Sequence, residues 1–365
     1  MQEKILPKKN LDNLIRILQA EGYLVIGPQI VDDAIQYQAL QEASQLPIGF
    51  SDEQKPGSYT ITPSRRQNSY FAWANGPQAL KPLLFKPKEI LWAAEKDDSG
   101  AIHFQPHTPK PKPTAVLGIR ACDLAALALQ DKHFLQKEYV DPYYQQRRDA
   151  LLLIAVNCSH PSANCFCVST GDGPYVKQDC DIVLTELDDV FFVTSGSKKG
   201  GALIAQMQLQ DATTEFDAAC AEQEQQAIHA QTKTLPSMNV PSLLREKNTH
   251  PYWQKIAETC LSCGNCTAVC PTCFCHAEKD EPALHGKNSQ HIRVWDSCFS
   301  QEHGYIHGMQ IRVETSQQYR QWLTHKFSHW LEQYGRSGCV GCGRCISWCP
   351  VGIDVTESVS RLCHE

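Results

Sequence analysis

Apolar side chains recur at helical spacing in residues 10–22 and predict a short amphipathic helix that ends at Gly22. Two uninterrupted apolar runs, Ala115–Ile119 and Leu151–Val156, predict buried strands, with a helix containing Leu124–Leu129 between them. This alternation of strand and helix is typical of an α/β unit, in which functional groups lie at the carboxyl ends of the strands.

Further strands and a helix are predicted up to about residue 234, where a proline-containing segment interrupts the pattern. Asp181–Leu184 and Val190–Thr194 predict two more strands, and the polar stretch Gln206–Thr234 predicts a helix. The segment Leu235–Pro241 contains two prolines and interrupts that helix. We therefore expect one domain to end and another to begin near residue 240.

Composition excludes several classes of function. A chain of 365 residues is long enough for two domains, and its formal net charge of −6 offers no overall positive field for nucleic acid or anionic lipid. The first residues lack the apolar core of a secretion signal, and the longest apolar run, Leu151–Val156, is too short to cross a bilayer. We expect a cytoplasmic protein that neither binds nucleic acid nor inserts into a membrane.

The 18 cysteines are the main chemical signal of this chain. In a chain of this length without a secretion signal, such a density indicates metal binding rather than disulfides. Four cysteines lie within residues 122–167, six within 260–275 and four within 339–349. These three stretches are therefore the candidates for metal centres.

Two identical runs, Cys-x2-Cys-x2-Cys-x3-Cys-Pro, begin at Cys260 and Cys339. This spacing is that of bacterial ferredoxins, where three cysteines of a tight loop bind one [4Fe–4S] cluster and the fourth reaches the other cluster. The spacing therefore predicts two [4Fe–4S] clusters. Their ligand sets are site 1, formed by Cys260, Cys263, Cys266 and Cys349, and site 2, formed by Cys339, Cys342, Cys345 and Cys270.

Zinc is the alternative metal for these runs. It usually takes two Cys-x2-Cys pairs, and a third cysteine at the same step has no role there. Two runs that both end in Cys-Pro therefore favour iron–sulfur clusters. A zinc-stabilised adaptor protein is the competing interpretation of another class, and a brown protein with acid-labile sulfide would exclude it.

The runs also set the expected fold class, which is α+β. An N-terminal α/β-type domain covers residues 1–240, and a mainly helical, bacterial-ferredoxin-like dicluster domain covers 241–365. A long helical insertion, residues 276–335, separates the two runs and is a candidate for contacting a partner. We interpret the aromatic stripe of its predicted helix Ser316–Tyr334 as core packing over a cluster rather than as a docking surface.

Four further cysteines follow the predicted strands of the N-terminal domain. Cys122 and its neighbour Asp123 come directly after one strand, and Cys158 ends the next. Because strand ends of an α/β sheet converge on one edge, these thiolates can meet there with those of Cys165 and Cys167. We call these four cysteines site 3, with Asp123 as an alternative ligand. A third [4Fe–4S] cluster, a zinc ion and no metal are the alternatives that the residues leave open.

Cys273, Cys275 and Cys298 lie outside these sets. They could ligate a further metal, but buried thiols packed near site 1 are the favoured interpretation. The sequence contains no glycine-rich dinucleotide motif, no P-loop and no nucleophile–base arrangement, so no substrate-converting site is predicted.

Motifs spread over nearly the whole chain resemble the iron–sulfur beta subunit of cytoplasmic NiFe sulfhydrogenases and are similar to the 4Fe–4S dicluster subunit of anaerobic sulfite reductase. The matching stretches include GIRACDLAAL (118–127), NCSHPSANCFCVSTGDGP (157–174), CLSCGNCTAVCPTCFC (260–275), VWDSC (294–298) and GCVGCGRCISWCPVGID (338–354). The region between about 176 and 250 matches no motif of these families.

The resemblance implies a non-catalytic electron-transfer subunit of a soluble oxidoreductase complex. It would relay electrons between a diaphorase-type flavin subunit that binds NAD(P) and a NiFe hydrogenase module. The equivalent subunit of an anaerobic sulfite or sulfur reductase is the alternative. The resemblance also supports the site 3 cysteines as metal ligands, which would add a third [4Fe–4S] cluster to the two of the ferredoxin runs.

Overall fold

The computed structural model describes residues 3–364 and has an α+β fold. The strands are β1 (Glu3–Pro7), β2 (Leu24–Val31), β3 (Ala34–Ala39), β4 (Phe50–Lys55), β5 (Ser58–Pro63), β6 (Lys88–Lys96), β7 (Ile102–Pro106), β8 (Thr114–Ile119), β9 (Leu151–Val156), β10 (Ile182–Glu186), β11 (Val190–Ser195), β12 (Gln210–Asp211), β13 (His276–Pro282), β14 (Asn288–Trp295), β15 (Tyr305–Ile306) and β16 (Met309–Gln310). The helices are α1 (Leu11–Ala20), α2 (Lys81–Leu84), α3 (Ala121–Phe134), α4 (Pro142–Asp149), α5 (Cys167–Thr170), α6 (Lys198–Gln206), α7 (Thr214–His229), α8 (Val240–Glu246), α9 (Tyr252–Ala257), α10 (Asn265–Ala268), α11 (Thr315–Thr324), α12 (Trp330–Tyr334), α13 (Arg344–Ser347) and α14 (Val355–His364).

An eight-stranded mixed sheet organises the first half of the chain, in the order β12-β1-β11-β10-β9-β8-β2-β3. The central strands β10, β9, β8 and β2 run parallel, and antiparallel strands extend the sheet on both sides. Strands β8 and β9 confirm the two predicted apolar runs. Since they are parallel neighbours, their carboxyl ends lie side by side at one edge, where site 3 was expected.

Apolar side chains cover both faces of this sheet. On one face, Leu14 and Leu18 of α1 pack against strand residues that include Leu117. On the other face, Leu124 of α3 packs against strand residues that include Val116. Consecutive strand residues point to opposite faces, so a purely apolar strand can serve both cores. Helix α1 confirms the prediction for residues 10–22.

A four-stranded antiparallel sheet joins distant parts of the chain in the order β13-β14-β6-β7. The prediction of a helical insertion over 276–335 is therefore wrong for its first part, where β13 and β14 form a hairpin. Polar residues dominate this hairpin, so its sequence shows no periodic pattern of apolar residues. It is stabilised by pairing with β6 and by a buried ion pair of 2.8 Å between Arg293 and Glu89. Local spacing cannot reveal a strand partner almost two hundred residues away.

The second part of the insertion is helical, as predicted. A π-helical turn, His325–His329, joins α11 to α12. Tyr319 and Trp322 are buried in the apolar core of the ferredoxin part, while Trp330 and Tyr334 pack against α3. The aromatic stripe is therefore core, which confirms its interpretation.

Residues 230–239 contain no helix or strand and separate α7 from α8. The division into domains at residue 240 stays a prediction, because segments from both sides of it share the four-stranded sheet and a small apolar core. Within residues 3–364, no helix has the length and apolar character needed to cross a membrane.

Candidate metal centres

The two ferredoxin-type runs fold into matching loops. Gly264 and Gly343 have φ values of +71° and +74°. Each begins a one-turn helix, α10 or α13, that carries the third cysteine of its run. This left-handed backbone costs a glycine little, which explains a glycine at the same step of both runs. The helices α10 and α13 pack together, and the Asn265 amide donates a hydrogen bond to the Trp348 carbonyl.

Site 1 is a cavity between the two runs. It is lined by the four cysteines predicted for it, Cys260, Cys263, Cys266 and Cys349, together with aromatic and apolar side chains such as Tyr319 and Trp322. The backbone N–H of Ile353 donates to the Cys349 sulfur at 3.3 Å. Cys263 is exposed, so this cavity lies at the protein surface.

Site 2 lies deeper. Burial, together with the neighbouring thiols of Cys342 and Cys270, raises the pKa of Cys339 to about 12. Burial is the largest influence on Cys270 and would raise its pKa, but the Lys326 ammonium, 3.5 Å from its sulfur, and hydrogen bonds from Thr272 together lower that pKa. These mutual effects show that cysteines of both runs, including Cys345, lie close together, in the grouping predicted for site 2.

Site 3 is a cavity at the carboxyl ends of β8 and β9. It is lined by all four cysteines predicted for it, Cys122, Cys158, Cys165 and Cys167. Polar side chains point at three of the sulfurs. Asn75 Nδ2 lies 3.0 Å from that of Cys122, Gln231 Nε2 lies 3.2 Å from that of Cys167, and Ser162 Oγ lies 3.3 Å from that of Cys165.

Asp123 does not join this cavity. Its carboxylate forms an ion pair of 2.8 Å with Arg344, and both side chains are 1% exposed. A buried carboxylate that is already paired with a guanidinium gives no support to its role as an alternative ligand. The pair instead lies close to both Cys122 and Cys342, between sites 3 and 2.

The three sites are contiguous. Cys345 of site 2 lines the cavity of site 1, and Cys342 of site 2 lines the cavity of site 3. The Phe166 N–H donates to the Gly341 carbonyl at 2.8 Å, which ties the site 3 loop to the second run. Site 2 is therefore the middle member of a row.

The donor sets fit iron–sulfur chemistry. Each site contains four cysteines, and N–H or O–H groups point at some of their sulfurs, an environment that suits iron–sulfur centres. Among residues 3–364, no group of three or more His, Cys, Asp or Glu side chains is arranged to hold a single metal ion. A [4Fe–4S] cluster needs a wider cage than one ion, because four irons lie between the thiolates.

Comparisons with known proteins agree with this chemistry. A family profile described as a 4Fe-4S dicluster domain matches residues 259–353, which contain every cysteine of sites 1 and 2. Sulfhydrogenase 2 subunit beta of Pyrococcus furiosus is 32% identical over 287 residues, which cover 77% of this chain and 82% of that protein. The chain belongs to the sulfhydrogenase beta-subunit family. No solved structure matches it. Family membership confirms the resemblance drawn from the motifs and identifies an iron–sulfur protein with [4Fe–4S] clusters.

This family member has three further cysteines beside sites 1 and 2 that lie outside the predicted ligand sets. Cys273 and Cys298 are buried and Cys275 is half-buried. A hydrogen bond from the Cys275 thiol, together with the ammonium groups of Lys81 and Lys326, holds the pKa of Cys273 well below its usual range against the effect of burial. Their burial agrees with packed thiols, but Cys273 lies beside Cys270 of site 2 rather than near site 1, where it was expected, whereas Cys298 lies near Cys266 of site 1. Ligation of a further metal stays a prediction.

No sequence pattern predicted the residues that surround the sulfurs. Lys326 lies in the helical segment that carries the aromatic stripe, and Arg344 lies inside the second ferredoxin-type run. Lys326 could have been noticed because it is a lysine on an otherwise apolar helix face. Asn75 and Gln231 gave no signal, because they approach their cysteines from 47 and 64 residues away.

The contact between the second run and the site 3 loop leads to a stability prediction. A Cβ added at Gly341 would lie 2.5 Å from the Cα of Cys167, whereas one added at Gly335 would meet nothing within 4 Å. Both glycines have positive φ, so Gly335→Ala reports the backbone cost alone, about 1 kcal/mol. Gly341→Ala should lose about 2 kcal/mol more in the free energy of unfolding, measured by anaerobic denaturation. Equal losses would contradict the close contact.

Proposed function

We propose that this chain carries electrons through three [4Fe–4S] clusters held at sites 1, 2 and 3, between a NiFe hydrogenase module and an NAD(P)H-linked flavin subunit. The contiguity of the three cysteine-lined sites is the observation that supports this most. When bound, each cluster supplies a centre that accepts and releases one electron. The chain contributes the thiolates, the hydrogen bonds to them and the exclusion of water.

Family membership supports the setting. The matched relative is by its name one subunit of a sulfhydrogenase, which implies a complex of several chains. Electron transfer requires cofactor-binding groups and a docking surface, and the clustered cysteines support the first of these.

The third cluster has its own support. Site 3 has four cysteines in one cavity, with side-chain donors at 3.0 Å and 3.2 Å from two of the sulfurs. Burial, followed by the Cys158 thiol, raises the pKa of Cys165 to about 12, so this thiol stays protonated unless a metal displaces the proton. Four clustered thiols without a metal would be an unusual use of a strand-end cavity.

Site 1 is the terminus at which a partner can dock. Leu261 and Val351 line its cavity, and Leu261 is 62% exposed. The Ser262 hydroxyl donates to the Thr315 hydroxyl at 2.9 Å, which brings the segment just before α11 beside the same loop. That segment adds more exposed apolar side chains, namely Tyr305, Ile306, Met309, Ile311 and Val313. An apolar surface around an exposed cluster ligand fits a permanent partner subunit that covers the cluster.

Charge added to this surface should weaken the complex. We expect the double variant Leu261→Asp and Val313→Asp to bind its partner at site 1 at least about tenfold more weakly, because two carboxylates would replace apolar side chains in the interface. Leu284→Asp is the matched control, since Leu284 is fully exposed in the β13–β14 turn. Affinity is measured by titrating purified partner subunits. Equal affinities for both variants would contradict docking at this surface.

The proposed function is tested with the assembled complex. An affinity-tagged chain, purified anaerobically from its native host, should bring with it NiFe subunits together with a flavin subunit, and the complex should reduce NAD(P)+ with H2. Sulfite reduction and co-purification of a sirohaem subunit would instead select the sulfite reductase setting. A tagged chain that purifies without a redox partner would contradict the proposal.

A further inference from the structure

The π-helical turn between α11 and α12 places a buried lysine against site 2. Lys326 is 6% exposed, and its Nζ lies 3.5 Å from the Cys270 sulfur and 2.7 Å from the Thr272 hydroxyl. The ring of Trp330 lies on another side, with its centroid 5.0 Å from Nζ. A π-helical turn within an α-helical segment is a rare irregularity that is frequent at functional sites.

The backbone of the same residue holds the other run. The carbonyl of Lys326 accepts hydrogen bonds from the Gly338 N–H at 2.8 Å and from the Ser337 hydroxyl at 3.3 Å. Gly338 directly precedes Cys339, and its own carbonyl accepts from the Thr272 hydroxyl at 2.7 Å. Lys326 therefore contacts the two segments that supply the ligands of site 2, its ammonium group on one and its carbonyl on the other.

The surroundings determine what the ammonium group can interact with. The groups in contact with it are a sulfur, a hydroxyl and an indole ring, and among these three the sulfur is the one that can carry a negative charge. Taking a cation out of water is costly unless an anion compensates for it. Thiolates of a cluster at site 2 are anions within reach, and they gain a fixed positive charge in an environment of low dielectric constant.

We propose that Lys326 sets the reduction potential of the cluster at site 2. This inference rests on the proposed function, because it requires a cluster there. Reduction adds one negative charge to a cluster, and a buried cation beside one of its ligands stabilises that state. Lys326 therefore raises the potential of the middle cluster and favours entry of an electron there. It acts through Cys270 and is a positioning residue.

The test is a redox titration of the full-length, cluster-loaded chain, followed by electron paramagnetic resonance. Lys326→Gln keeps an N–H donor but removes the charge, Lys326→Met removes both, and Lys326→Arg keeps the charge. In the neutral variants, the ratio of reduced to oxidised site 2 cluster at a fixed potential should fall at least tenfold, a downward shift of about 59 mV for a one-electron couple. Lys326→Arg should stay close to the wild type.

A second buried lysine provides the control. Lys81 is also 6% exposed, but its Nζ donates to the Thr267 and Ala268 carbonyls at 3.2 Å and 3.3 Å rather than to a ligand sulfur. Lys81→Met should therefore cost similar stability and shift the site 2 potential less than Lys326→Gln does. The signals of sites 1 and 3, identified through Cys263→Ala and Cys165→Ala, should not shift in the Lys326 variants.

An unchanged midpoint potential in loaded Lys326→Gln would overturn the inference alone. Loss of the site 2 cluster from both neutral variants, with retention in Lys326→Arg, would also overturn it, since Lys326 would then serve cluster assembly instead. A wild-type chain without a site 2 cluster would overturn the proposed function together with this inference.

Discussion

Replacing Cys165 by alanine should lower the iron content of the anaerobically purified chain from about twelve atoms to about eight, because four thiolates are the usual ligands of a [4Fe–4S] cluster and the loss of one destabilises it. The four cysteines of site 3 share one cavity, so the loss of one should empty that site only. The signals of sites 1 and 2 should persist, since their ligands come from the two ferredoxin-type runs. Iron and acid-labile sulfide are measured per chain.

Cys180→Ala is the matched control. Cys180 is buried to a similar extent, at 8% exposure against 6% for Cys165, but its thiol points at the Ile182 carbonyl and lines neither the site 1 nor the site 3 cavity. It should keep the full iron content. If Cys165→Ala also kept about twelve irons, site 3 would be refuted as the position of the third cluster. If the wild type contained about eight, the third cluster itself would be refuted and the two C-terminal clusters would remain.

Replacing Cys342 by alanine should abolish electron flow through the complex. Cys342 belongs to site 2 and also borders the cavity of site 3, so its loss removes the middle member of the row. H2-dependent reduction of NAD(P)+ should disappear, whereas reduction of a small dye by the hydrogenase module should continue. The N-terminal sheet should stay folded, because its cores do not depend on this cysteine.

Cys363→Ala is the control for this experiment, since Cys363 is half-buried in α14 and belongs to none of the three sites. It should leave both activities near those of the wild type. If the Cys342 variant sustained coupled turnover at the wild-type rate, the path through site 2 would be wrong even if every cluster were present.

Local sequence patterns predicted much of this fold. The elements that were not predicted depend on contacts between distant parts of the chain. Strand β9 matches its apolar run, and α1 follows from four leucine and isoleucine residues at helical spacing. The hairpin β13–β14 was missed because its stability comes from β6, far away in the chain. A polar strand of this kind lacks the alternation of apolar and polar residues by which a strand is predicted from sequence.

The candidate metal centres show the same difference between local patterns and long-range contacts. The grouping of the cysteines in space could be predicted because the cysteines of each run are fixed by spacing within one loop, and because parallel strand ends meet at one edge. Their role as ligands stays a prediction. Asp123 is a candidate ligand in sequence because it follows Cys122, but its partner in space is Arg344, more than two hundred residues away. Lys326 reaches Cys270 only through the irregular turn between α11 and α12, which no spacing rule describes.

Metal and sulfide analysis of the anaerobically purified wild-type chain, combined with Mössbauer spectroscopy, tests the central claim most directly. We expect about twelve irons and about twelve acid-labile sulfides per chain, all in [4Fe–4S] clusters, and no stoichiometric zinc. A colourless protein that contains zinc and lacks iron would contradict the account.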